Sequence, residues 1–148
     1  MRKLLILLAL STVACAQDRH ITIYRDPQVM AYVDELSKDL PPMNLNSVSF
    51  QIAPLNIAQY GICRSYSNGD REVIINEQQW PTMTDSRKAQ VILHEIGHCV
   101  FSLPHASLVY INNCPTSIMV KSAFDDVCFV DNYRQYVDEV GGTREHAL

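Results

Sequence analysis

The chain has 148 residues, with 12 Lys+Arg against 16 Asp+Glu and a formal charge of −4. That length supplies one hydrophobic core and is too short for two. Lys and Arg form no cluster after the first three residues, so the acidic balance excludes nucleic acid as a partner.

The N-terminus has the layout of a secretory signal peptide over residues 1–16. Met1-Arg2-Lys3 is a basic start, residues 4–10 are an unbroken apolar run, and Ala14-Cys15-Ala16 is a small-residue cleavage site. The apolar run is shorter than the roughly 20 residues that a membrane span needs. Two processing routes are open. Cleavage after Ala16 leaves a free secreted or periplasmic protein, whereas Thr12-Val13-Ala14-Cys15 resembles a lipobox, in which Cys15 becomes a lipid-bearing N-terminus. Thr12 stands where such boxes usually carry leucine. That lipid would be the only membrane attachment. Residues 17–148 are expected to form a single domain, exported either way.

Residues 20–24 alternate and carry β-branched side chains, which predicts a first strand. Asp26-Pro27 then supplies an N-cap and a proline at the first helical position. Val29, Met30, Val33, Leu36 and Leu40 follow at helical spacing until Pro41-Pro42 stops the helix. Strands are predicted over residues 48–53, 57–66 and 71–76, the last two joined through the hairpin signal Asn68-Gly69. A helix from Thr84 or Asp85 through Val100 would bury Val91, Ile92, Ile96 and Val100. Residues 103–120 read as irregular. A final amphipathic helix over residues 125–140, packing through Val127, Phe129, Val130, Tyr133, Val137 and Val140, ends at Gly141-Gly142. The fold class is α+β, with a small twisted mixed sheet and two functional landmarks: a motif-bearing helix and a C-terminal helix.

Cysteine usage fits export. Apart from Cys15, the chain holds Cys63, Cys99, Cys114 and Cys128, an even number that implies two disulfides in one of three connectivities. No Cys-x-x-Cys pair suggests a separate structural zinc site.

The chemistry concentrates in His94-Glu95-Ile96-Gly97-His98, followed by His105. Residues four apart share one helix face, so His94 and His98 can present both imidazoles to one metal ion. With His105 as third ligand this is the donor set of a catalytic zinc site, one ion per chain with one position open. Glu95 lies about 100° around the helix, where its carboxylate can take a proton from a metal-bound water during attack on a peptide carbonyl. Gly97 costs a helix interior about 1 kcal/mol against alanine and so asks for a reason.

Residues 94–105 resemble the zinc signature of the metzincin metallopeptidases, His-Glu-x-x-His-x-x-Gly-x-x-His, and Ser117-Ile118-Met119 resembles their Met-turn, which places a methionine (here Met119) beneath the metal. The chain departs from that signature in two ways. Pro104 occupies the expected third-histidine position, with His105 one residue later, and Phe101 or Ser102 stands in place of the glycine that normally turns the chain. The resemblance implies a metzincin-like fold and an exported zinc-dependent endopeptidase acting on protein or peptide substrates. It further implies that a strand near Tyr60, Gly61 and Ile62 forms the sheet edge that substrates join. Of the three disulfide patterns, Cys114–Cys128 with Cys63–Cys99 is favoured; the first bridge would clamp the Met-turn loop to the final helix. Tyr110, Tyr133 and Tyr136 are candidates for stabilising the oxyanion, and Asp125, Asp126, Asp131 and Glu139 compete with His105 as third ligand. Two other functions are open: a catalytically silent zinc-binding or partner-binding module on the same fold, and a zinc amidase acting on cell-wall peptides.

Overall fold

The computed structural model describes residues 21–142, so the predicted signal segment and Cys15 lie outside the described residues. Its first helix, α1 (Pro27–Leu36), begins where the sequence predicts: the Asp26 carboxylate accepts the Gln28 N–H at 2.9 Å, and Pro27 needs no acceptor. Val29, Val33 and Leu36 are its buried stripe. The helix stops before Pro41-Pro42, where the Ser37 hydroxyl donates to the Asp34 carbonyl and the Lys38 and Asp39 N–H groups reach back only three residues. Leu40 is still buried, delivered by that tightened turn.

The strand predicted over residues 20–24 does not form among its described residues, and a single bridge stands just after it, at Arg25. Arg25 pairs in parallel with Phe50, flanked by bonds from Phe50 N to Tyr24 O and from Asp26 N to Phe50 O. Pro27, which has no N–H and starts a helix, ends the ladder there.

Three strands make the sheet: β1 (Val48–Ala53), β2 (Gly61–Ser65) and β3 (Arg71–Asn76), in spatial order β1-β3-β2. β3 runs parallel to β1, with Val48 opposite Arg71, and antiparallel to β2, with Gly61 opposite Ile75. The sheet is therefore mixed, and β2 is left as an edge. Gly69, at φ 88°, makes the β2–β3 turn, a left-handed conformation that glycine adopts freely. β2 starts four residues later than residue 57 because Asn76, fully buried, draws the preceding loop inward. Its side-chain amide donates to the carbonyls of Asn56 and Gln59.

Helix α2 (Asp85–Cys99) packs on α1, β2 and β3 and carries the motif. Thr84 caps it through the Arg87 N–H at 3.0 Å, and Ile92, Leu93 and Ile96 are fully buried beneath it. Two elements depart from the sequence reading beyond α2. Residues 103–120 contain a two-residue hairpin, β4 (Tyr110–Ile111) with β5 (Cys114–Pro115), turned by Asn112 and Asn113 at φ 52° and 64°. The last helix is two, α3 (Asp126–Asp131) and α4 (Tyr133–Val140), broken at Asn132, whose side chain bonds the Cys128 carbonyl. Across that break the apolar face rotates. Val127 and Val130 point to solvent, contrary to expectation, and Tyr136 fills the core, donating to the Pro115 carbonyl.

Cys63–Cys99 ties β2 to the last turn of α2, and Cys114–Cys128 ties the hairpin to α3. These are the two favoured pairs, and they suit an oxidising compartment. No described helix is long and apolar enough to cross a membrane.

Unreduced protein should therefore show no alkylatable thiol among these four. Replacing Cys114 and Cys128 together by serine should lower stability by about 3 kcal/mol in urea unfolding, the chain-entropy value for so short a loop. An unchanged midpoint would show that the hairpin is held by packing alone.

Candidate functional site

His94 and His98 stand one turn apart on α2 and face a cleft of about 950 Å³. Their Nδ1 atoms meet backbone carbonyls, His94 with Ile118 O at 2.8 Å and His98 with Leu103 O at 2.6 Å. A carbonyl only accepts, so both rings carry their proton on Nδ1 and leave Nε2 bare. The Nε2 atoms of His94 and His98 are 3.1 Å apart, and those of His98 and His105 are 3.2 Å apart. Unprotonated nitrogens so close repel one another unless a positive charge lies between them. Three corners of a tetrahedron about an ion at roughly 2.0–2.1 Å would be separated by about 3.3 Å, close to these spacings. Burial lowers the His94 pKa to about 4; the Ile118 hydrogen bond opposes that shift, and the neighbouring His98 and His105 add to it. His105 is also lowered, by burial first and then by His98 and Lys121. The net shift favours the neutral ring that a metal requires. Among the described residues this trio is the one His/Cys/Asp/Glu cluster able to hold an ion.

The backbone after α2 explains how His105 reaches the site despite its shifted position. Phe101 N bonds back to Ile96 O, and Leu103 N to Gly97 O, so the last turn widens to take up one extra residue. Ser102 then adopts φ 58°, three residues before His105, the same interval that separates glycine from histidine in the signature. Of Phe101 and Ser102, the turn residue is Ser102.

Gly97 finds its reason in Met119. A Cβ on Gly97 would lie 2.5 Å from the Met119 sulfur and 3.0 Å from its methyl, so the absent side chain seats the thioether against α2 between the two histidines. Met119 is buried, and its N–H donates to Ser117 Oγ. The Ser117 hydroxyl and the Ile118 N–H both donate to the carboxylate of Glu139 on α4. Glu139 is thus the anchor of the turn whose Ile118 carbonyl orients His94, and is not a metal ligand. The other carboxylate alternatives are also placed elsewhere. Asp125 caps α3, Asp126 pairs with Arg87 at 3.1 Å, and Asp131 lines a separate small groove.

Glu95 is 4 % exposed, and its Oε2 has no hydrogen-bond partner. Desolvation raises its carboxyl to about 8. Its space comes from Gly61, where a Cβ would approach Glu95 Cγ to 3.0 Å and Oε1 to 3.1 Å. Two imidazole nitrogens left bare, a third histidine converging on them and an unpartnered Glu95 oxygen lining the same cleft fit a metal with an open position.

Tyr60, Gly61 and Ile62 line one wall of the cleft, and residues 118 and 120–124 line the other. None of Tyr110, Tyr133 and Tyr136 reaches it. Tyr110 is on the exposed hairpin, Tyr133 donates to Asp39, and Tyr136 is buried against Pro115. The tyrosine that faces the cleft is Tyr60, and the cations there are Arg87 and Lys121. Sequence reading had assigned no role to either cation, nor to Gly61 as the space-maker for Glu95. No local pattern signals them, since each depends on a partner far along the chain. No family model, curated protein or solved structure matches the chain.

Gly97→Ala should overpack the Met119 seat and cost about 1–3 kcal/mol in denaturant unfolding. Met119→Ala in the same chain should recover part of that loss, giving a coupling energy of at least about 0.5 kcal/mol in a double-mutant cycle. Strict additivity would separate the glycine from the methionine.

Proposed function

We propose that this protein is an exported zinc-dependent endopeptidase of metzincin-like build, acting on protein or peptide substrates. The observation that carries the reading is the convergence of three metal-facing imidazole nitrogens beside a buried, partnerless Glu95 oxygen, at the floor of a cleft walled by an edge strand. The α+β architecture, with its Met119 seat under the motif helix, supports the metzincin-like part. Export is supported by the basic and apolar leader in the sequence together with the two disulfides.

His94, His98 and His105 would hold a zinc ion, which would supply Lewis acidity to a carbonyl and to water. The chain's own residues do the rest. Ile118 and Leu103 hold the imidazole tautomers, which keeps the donor nitrogens aimed without a reorganisation cost. Glu95 takes the proton from the attacking water and passes it to the departing amine. The free edge of β2 offers main-chain groups to an extended peptide, so backbone pairing orients the scissile bond over Glu95. A purely structural metal site has no use for an unsatisfied buried carboxylate, whose burial is costly.

Natively purified or zinc-reconstituted protein should contain one zinc per chain. His105→Ala should weaken zinc binding by more than the roughly 10–100-fold that loss of an outer hydrogen-bond partner costs. Absence of zinc in both preparations would overturn the metal reading.

Glu95→Gln should retain zinc and fold while lowering hydrolysis of a broad peptide library by about 10²–10⁴-fold at matched zinc content. Chelation should abolish wild-type activity, and zinc should restore it. Equal cleavage by wild type and variant would remove Glu95 from the mechanism.

A further inference from the structure

The cleft follows α2 from Arg87 to His98, about 16 Å at 1.5 Å per residue, which is the length of roughly five residues of extended peptide. Apart from Tyr60, its ionisable lining consists of the three histidines, Glu95, Arg87 and Lys121. The histidines face the metal position and Glu95 is buried, so the charges left for a substrate side chain to meet are both positive. No aspartate lines the cleft among the described residues, although acidic residues outnumber basic ones, 16 to 12, in the whole chain. The two cations are not equivalent. Arg87 is held by Asp126 at 3.1 Å and by the buried Gln90 at 2.6 Å, so its charge is largely offset and its guanidinium fixed in place. Lys121 is exposed, lies near enough to His105 for its charge to act on that ring, and has no salt-bridge partner among the described residues. An unpaired cation on the wall of a substrate-sized cleft, in a chain of opposite net charge, focuses attraction on acidic ligands.

We infer that the cleft selects acidic peptides, with Lys121 reading a carboxylate side chain on the His105 side of the bond to be cut. The inference rests on the peptidase reading for the position of the scissile bond, whereas charge-selective binding is measurable without hydrolysis. Fluorescein-labelled hexapeptide pools with Glu, Gln or Lys at one varied position are titrated, by fluorescence anisotropy, into zinc-loaded Glu95→Gln protein. The same pools are titrated into that protein carrying Lys121→Gln or Lys121→Glu, with zinc content measured in each. The Glu pool should bind about two- to fivefold more tightly than the Gln pool, the yield of one solvent-facing charge pair, and the gap should close as salt is raised. Lys121→Gln should erase the preference and Lys121→Glu should turn it towards the Lys pool. Equal binding of the pools, a preference indifferent to residue 121, or no binding by any pool overturns the inference. Charge-selective binding with no hydrolysis by wild type would leave the inference standing and remove the peptidase reading. Hydrolysis blind to charge, together with equal binding, would do the reverse.

Discussion

The Nδ1–H groups of His94 and His98 donate to the carbonyls of Ile118 and Leu103, and this pair of bonds leaves both Nε2 lone pairs facing one point in the cleft. Without them each imidazole could hold its proton on either nitrogen and rotate about χ2, and a helix with two histidines would be only that. The carbonyls come from two different segments, so the site depends on how those segments are held. Leu103 follows the widened last turn of α2, and Ile118 sits in a turn clamped by Glu139 from α4. Met119, next to Ile118, is locked against Gly97. The convergence of the ring nitrogens is therefore the end of a chain of contacts running from α4, through residues 117–119, to α2.

Glu95 gives the site its chemical asymmetry and a burden on stability. A carboxyl buried with one oxygen unsatisfied costs free energy in the folded state, and desolvation raises its pKa to about 8 as a result. A cation in the histidine cradle would favour the ionised form and relieve that burden. The surroundings resist relaxation in the meantime. Gly61 opens space for the side chain, while Cys63–Cys99 bonds the same strand to the end of the motif helix. In a small domain with a limited core, such covalent ties keep the edge strand and the helix at a fixed separation.

Local signals were legible wherever a short stretch decides its own conformation. β1 and β3 match the predicted residues 48–53 and 71–76, and α2 differs from its expected span only by its C-cap. Asp26, Pro27 and Thr84 mark helix starts because capping is a matter of three neighbouring residues. The failures share the opposite character. The late start of β2 is set by Asn76, about 20 residues along the chain from the carbonyls that it bonds. The break between α3 and α4 at Asn132 leaves Val127 and Val130 outside, although periodicity alone places them inside. Periodicity presumes an unbroken helix, and one residue out of helical register moves the whole stripe.

The spacing of His94, Glu95 and His98 was determined by the sequence itself, because helical geometry converts four residues of separation into one shared face. The same holds for the four cysteines that follow Cys15 and for the turn at Asn68-Gly69. Tertiary structure alone decided that Ser102 takes the left-handed turn and that Glu139 anchors Ile118. It also decided that Gly97 exists for Met119, that Gly61 exists for Glu95, and that Lys121 overlooks the cleft. Apart from the Ser102 turn, each of these brings together segments well separated along the chain. Sequence spacing carries information about neighbours on one element; which elements meet is settled by the packing of the whole core.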